Sequence, residues 1–301
     1  MRSEVREMTG VCHIALTPFD ADENVDVDGI GNIVRAAIDA RCCGVVPLAI
    51  MGEAHKLIER ERDEVLEAYV SAAGDETHVV AGVTSESTVQ AIDRAQRAQR
   101  LGATAIMMAP PRNTSAGPAL LDHFGEVAAS VDIPLVVQDE PVTTGVKLPA
   151  PFFEQLATID SIFAVKVEEA PSPPKVSAIH AAAPRLALFG GLGGISLYEE
   201  LSRGAVGIMT GFGFPEILSR ICELYAKGEI IEARDVFYRF LPLIRFEAQL
   251  GVGGVSIRKQ LFFERGLISS PSARKPRAAL DGETVKELND LLEVFTLDGG
   301  V

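Results

Sequence analysis

The chain has 301 residues, 47% of them hydrophobic, and a formal net charge of -14. That length allows one large α/β domain or two ordinary ones with a sizeable core, and so acidic a balance argues against nucleic acid as a partner, since nucleic acid needs a basic surface. No apolar run approaches the roughly 20 residues of a membrane span, and the N-terminal MRSEVREMTG lacks the apolar stretch of a secretory signal; no membrane partner and a cytoplasmic location are expected.

In chain order, Val11 to Phe19 reads as a strand closed by Thr17-Pro18. Val27 to Arg41 has helical spacing, with Ile30, Ile33, Val34, Ala37 and Ile38 on one side. Gly44 to Ile50 reads as a strand, Leu57 to Ala73 as a charged amphipathic helix, Val79 to Val83 as a strand, and Ser87 to Leu101 as a helix stopped by Gly102. Strand Ala105 to Pro110, helix Pro118 to Val131, strand Pro134 to Pro141 and a short helix Ala150 to Leu156 follow. After the strand Phe163 to Glu169 come a helix near Val176 to Ala183, a strand Leu186 to Gly190, a helix Ile195 to Arg203 and a strand Val206 to Thr210. From Phe214 onward the pattern is helical only: Pro215 to Ala226, Ile231 to Ala248, Val255 to Arg265 and Thr284 to Phe295.

Eight short apolar strands alternating with helices fit a (β/α)8 TIM barrel with a C-terminal helical extension. A doubly wound sheet is the weaker fit, because the glycine pairs at Gly191-Gly193 and Gly251-Gly253 lack the third glycine of a dinucleotide fingerprint. The expected layout is an N-terminal extension at 1–10, the barrel core at 11–213, and the last barrel helix plus the extension at 214–301. The extension is expected to contribute to subunit contacts in a homo-oligomer, a dimer or tetramer.

The stretch Phe163-Ala164-Val165-Lys166-Val167-Glu168-Glu169 sets one lysine in a buried strand. The other lysines, Lys56, Lys147, Lys175, Lys227, Lys259, Lys275 and Lys286, fall in helical or loop-like surroundings. Burial disfavours the charged amine, and a neutral amine attacks carbonyls to form a Schiff base. Catalytic groups of a (β/α)8 barrel sit at the C-terminal ends of strands, where Lys166 lands with Thr17, Ile50 to Glu53, Thr84, Pro110 to Asn113, Gln138 to Glu140, Gly190-Gly191 and Thr210-Gly211. The four cysteines (Cys12, Cys42, Cys43, Cys222) make no CxxC pair. The five histidines (His13, His55, His78, His123, His180) have no ligand spacing, so no metal is expected. The basic cluster Arg258, Lys259, Arg265, Arg274, Lys275 and Arg277 reads as a solvated helix face and tail.

These strand ends resemble the dihydrodipicolinate synthase and N-acetylneuraminate lyase family of class I aldolases over nearly the whole chain. The residues that carry the likeness are Leu16-Thr17-Pro18-Phe19, Gly52-Glu53 with Leu57, Ala81-Gly82-Val83, Gly102-Ala103, Pro141 with Thr144-Gly145, and Lys166. The resemblance implies a (β/α)8 barrel with extra C-terminal helices, an imine between Lys166 and the ketone of a 2-oxo acid, and no cofactor. Departures are informative. The family's two threonines before Gly52-Glu53 are Ile50 and Met51 here, the fourth strand ends Pro110-Pro111-Arg112 instead of Pro-Tyr-Tyr, and the fifth ends Gln138-Asp139-Glu140-Pro141 instead of Tyr-Asn-Val-Pro. The tyrosine relay is absent, and Gln138 cannot titrate. Gln138-Asp139, the Met209-Thr210-Gly211 turn and LPLIRFEAQLGVG look more like the 2-keto-3-deoxy-pentonate dehydratase branch.

The expected activity is therefore dehydration of a 2-keto-3-deoxy sugar acid, with Lys166 as nucleophile, Glu168 as base or leaving-group acid, and Gln138 and Thr210 orienting the substrate. The backbone amides of Met51 and Gly52 would hold its carboxylate, with Gly190 and Arg112 as further contacts. The alternatives are a pyruvate-dependent aldolase, a dihydrodipicolinate synthase-like condensing enzyme, and a non-catalytic barrel that binds a 2-oxo acid.

Overall fold

The computed structural model describes residues 4–112, 114–249, 252–277 and 279–296. Each apolar run becomes a short parallel strand: β1 (Gly10–Ile14), β2 (Gly44–Val46), β3 (His78–Gly82), β4 (Ala105–Met108), β5 (Leu135–Asp139), β6 (Ile162–Val167), β7 (Ala187–Gly190) and β8 (Gly207–Thr210). They pair in sequence order, and β8 returns to β1, with Gly10 opposite Gly207 and His13 opposite Thr210, to close the barrel. Closure needs glycine at 207, where a Cβ would overlap the Gly10 backbone.

Between strands run α1 (Val27–Asp39), α2 (Glu59–Ala73), α3 (Thr88–Leu101), α4 (Pro118–Ala129), the short α5 (Pro141–Thr144) and α6 (Ala150–Leu156), α7 (Ser172–Ala182) and α8 (Leu197–Leu201). Their ends follow local chemistry. The Asp26 carboxylate accepts from the Gly29 amide at the start of α1, Ser87 does the same for Gln90 in α3, and Gly102 ends α3 at φ 101°. Four more helices complete the described chain: α9 (Pro215–Ala226), α10 (Ile230–Glu247), α11 (Val252–Glu264) and α12 (Gly282–Thr296). The protein is thus a (β/α)8 barrel with added C-terminal helices. No helix among the described residues is long and apolar enough to cross a membrane.

Strand alternation divides the interior into two cores. Val45, Ala81, Ile106, Val137, Val165 and Leu188 face the helices. Cys12, Val46, Val80, Met107, Val136 and Phe189 fill the lumen. Val5 and Met8, from the segment before β1, are buried in that lumen core and close its N-terminal end. The opposite end is left for polar side chains.

Three expectations change. The run from Val11 ends as a strand at Ile14 rather than Phe19. The run from Gly44 stops pairing at Val46 rather than Ile50. Pro47 has no N–H for the ladder, Leu48 takes φ 61°, and the Pro47 carbonyl turns to accept from the Gly82 amide at 2.9 Å. The basic cluster is solvated only in its tail, where Lys275 and Arg277 are exposed; its helix face is not. Arg258 and Lys259 are 3% and 0% exposed, because α11 turns them inward to meet buried glutamates.

Candidate active site

β5 and β6 bring the first functional groups together. A register shift at Leu135/Val136 places both Phe163 and Ala164 in the lumen core. Alternation then sends Val165 and Val167 outward and Lys166 inward, level with Gln138 on β5 and Phe189 on β7. Lys166 is 4% exposed. Its Nζ lies 2.9 Å from Glu168 Oε2, just past the end of β6. Gln138 Nε2 donates to the same oxygen at 2.8 Å, and the Leu192 amide reaches Oε1 at 3.4 Å. The carboxylate is thus held by an ammonium, an amide side chain and a backbone N–H. Gly191 makes room for it: a Cβ there would overlap the Glu168 side chain.

These groups line a small cavity of about 60 Å³ that also takes in Met51, Thr210, Gly211 and Arg258. A larger cavity of about 400 Å³ opens over the ends of β2 to β5, walled by Gln138, Thr144, Met107, Ala109, His55 and Arg112. Gln138 belongs to the larger cavity and bonds Glu168 in the smaller, so the two share one wall. His55 is kept neutral more readily than a free histidine, by burial and then by Lys56. His13 is buried against the Phe262 ring, and burial with Arg258 and Arg265 nearby lowers its pKa to about 3. It is no proton carrier at neutral pH.

Not every expected residue meets Lys166. Met51 and Thr210 line its cavity. Arg112 stands on the rim of the larger one, with its side chain 64% exposed and its Nε 2.6 Å from Glu86. Gly190 faces the helix layer, where a Cβ would overlap the Glu200 carboxylate; Leu192 and Gly193 border the small cavity instead. The Gly52 amide donates to the Ala49 carbonyl at 3.0 Å, so one of the two backbone donors assigned to a substrate carboxylate already has a partner.

Glu53, after Gly52, turns away from the cavity. In the left-handed conformation at φ 53° it sends Oε1 to Lys259 Nζ at 2.6 Å and Oε2 to Lys56 Nζ at 2.8 Å and the Arg274 amide at 3.1 Å. The Lys259 and Arg274 cations both pack on the Phe19 ring, 4.2 and 4.3 Å from its centroid. Breaking a buried pair of this kind strands a dry charge, at about 3–5 kcal/mol. The β2 loop is therefore pinned to α11 and to the segment after it.

Two buried carboxyls flank the site from the outer layer. Asp139, next to Gln138 but facing outward, is fully buried 3.3 Å from Lys175 Nζ. Burial raises its pKa to about 7 against the pull of that lysine. Glu200 on α8 is also fully buried. Its Oε1 accepts from Ser172 Oγ at 2.5 Å, while Oε2 has no hydrogen-bond partner among the described residues. Burial, with the Glu168 charge adding to it, raises its pKa from 4.5 to about 7. As pH rises between those values the unfolded chain gives up this proton and the folded chain keeps it. The stability tied to Glu200 is thus full at low pH and is lost as pH climbs through about 7. Glu200→Gln, neutral throughout, should stand close to wild type in denaturant unfolding at pH 5. By pH 8 it should gain on wild type, on the order of 3 kcal/mol. A difference between the two proteins that stays constant from pH 5 to pH 8 would show that Glu200 ionises in the fold without cost.

Sequence reasoning missed Glu200, Glu247, Arg258 and Lys259 as buried polar groups near this end of the barrel. The only local hint was Gly190-Gly191, a pair that admits a carboxylate on either side.

Known proteins align with this geometry. The profile of the dihydrodipicolinate synthetase family matches residues 7–295. An uncharacterised DapA-like lyase of Halobacterium salinarum is 33% identical over 275 residues, 87% of each chain. The L-2-keto-3-deoxyarabonate dehydratase of Azospirillum brasilense is 29% identical over 290 residues, 93% of this chain and 92% of that one. A crystal structure of dihydrodipicolinate synthase from Rhodopseudomonas palustris superposes with a TM-score of 0.90 at 31% identity, covering 96% of this chain and 98% of that one. With the closed barrel, the added C-terminal helices and a profile match across nearly its whole length, the chain belongs to the dihydrodipicolinate synthetase family of lyases.

Proposed function

We propose that this lyase dehydrates a 2-keto-3-deoxy sugar acid through an imine on Lys166. The observation that carries the reading is the buried Lys166–Glu168–Gln138 cluster, in which one carboxylate oxygen touches both the lysine and the glutamine. Proton transfer within the Lys166–Glu168 pair yields the free amine. Nζ attacks the C2 ketone, Glu168 passes the proton it took from Lys166 to the carbinolamine hydroxyl, which leaves as water, and a protonated imine forms with Glu168 again a carboxylate. The iminium acidifies C3–H. Glu168 takes that proton and then returns it to the departing C4 hydroxyl, which leaves as water. Hydrolysis of the conjugated imine frees Lys166, and the net change is the loss of one water. Gln138 cannot exchange protons; it holds Glu168 and offers its carbonyl oxygen to a substrate hydroxyl. The reacting carbons fit the small cavity beside Lys166, and the hydroxylated tail extends into the larger one.

An alternative draws on the similarity to a synthase: condensation of pyruvate with an aldehyde would begin from the same imine. It is disfavoured because Gln138 and Arg112 stand where the family's tyrosines carry protons. A panel of 2-keto-3-deoxy acids, and separately pyruvate with aspartate semialdehyde, separates the two. Loss of water from a sugar acid, without release of pyruvate, is expected. Efficient condensation together with inert sugar acids would overturn the dehydratase reading.

A further inference from the structure

A 2-oxo acid carries a permanent negative charge one bond from the carbonyl that Lys166 would attack. In this chain the β2 loop is poorly equipped to hold it. Ile50 and Met51 bring no hydroxyl, and the Gly52 amide is bonded to Ala49 at 3.0 Å. A carboxylate placed in so enclosed a cavity needs charge-assisted partners.

Arg258 stands on the same wall. It projects from α11 into the lining of the small cavity, beside Met51, Thr210 and Gly211 and together with Lys166, and is 3% exposed. Its Nε donates to Glu247 Oε1 at 2.7 Å. Glu247 is fully buried at the end of α10, and its two oxygens take the Gly213 amide at 3.0 and 2.8 Å. The guanidinium is therefore fixed at one corner by a carboxylate that is itself fixed by backbone. Among the described residues the Nη groups make no further hydrogen bond. Gly211 lies against them: a Cβ there would overlap the Ile14 carbonyl and come 3.0 Å from Nη1, so the β1 backbone requires the glycine, and the glycine leaves Nη1 uncovered on that side. A guanidinium anchored at Nε still offers paired N–H donors that match a carboxylate. The other acid on this cavity, Glu168, is engaged by Lys166 and Gln138.

We propose that Arg258 binds the α-carboxylate of the 2-oxo acid, the role the missing loop hydroxyls leave open. This rests on the imine reading above, since Lys166 sets where C2 must lie. Glu247 acts as its positioning residue.

The test compares borohydride trapping at Lys166 with pyruvate and with hydroxyacetone, the same ketone with an alcohol in place of the carboxylate. Both are read by intact mass in wild type, Arg258→Gln and Arg258→Lys. The lysine variant keeps a cation for Glu247, and unfolding temperatures check that each variant is folded. The pyruvate concentration for half-maximal trapping is expected to rise about 10- to 100-fold in Arg258→Gln and less in Arg258→Lys, while hydroxyacetone labelling stays as in wild type. Unchanged pyruvate trapping in a folded variant, or an equal loss for both ketones, overturns the assignment. A wild type that neither ketone labels overturns the imine itself, and this assignment with it.

Discussion

Lys166→Arg is expected to abolish covalent trapping. Wild type incubated with pyruvate or a 2-keto-3-deoxy acid and borohydride should gain the mass of one reduced adduct, mapped to the peptide carrying Lys166; the arginine variant should gain none, and turnover should vanish with it. Arginine keeps a similar reach and a positive charge for Glu168, but it stays protonated and has no lone pair to give a carbonyl. The informative competitor is Lys259. Burial lowers its pKa to about 8 even with Glu53 beside it, so by basicity alone it is a reactive amine. Yet it is fully buried, pinned by Glu53 at 2.6 Å and covered by the Phe19 ring. Adducts on Lys259, or on neither lysine, would refute the imine mechanism at Lys166.

Glu168→Gln should separate imine formation from the proton transfers that follow. The amide is nearly isosteric and can still accept from Lys166 or Gln138, so the borohydride-trapped adduct should persist. It cannot carry a proton between C3 and the leaving hydroxyl, and loss of a general base typically costs about 10²- to 10⁴-fold in rate. In deuterium oxide the wild type should exchange the C3 hydrogen of a bound 2-oxo acid, and the variant should lose that exchange in parallel with turnover. An unimpaired Glu168→Gln would move the base to another group. Stoichiometric release of pyruvate with an aldehyde by the wild type would instead establish carbon–carbon cleavage.

The amino-acid sequence by itself determined the eightfold strand–helix alternation and singled out Lys166. Both are local properties. A strand announces itself through a few consecutive apolar residues, and a lysine among them stands out whatever the rest of the chain does. The pairing of Glu168 with Lys166 was legible for the same reason, since residues two apart on an extended chain point the same way. What the tertiary structure alone decided are the contacts between residues far apart in the chain. Lys259 meets Glu53 across 206 positions and Arg258 on α11 meets Glu247 on α10; both basic residues read as solvent-facing because nothing beside them in sequence is a carboxylate aimed inward. Glu200 belongs to α8 but presses on β7 through Gly190, and β2 ends early where Leu48 takes φ 61°. Burying charge and bending a strand depend on which surfaces the closed barrel brings together, and that closure is a property of the whole chain.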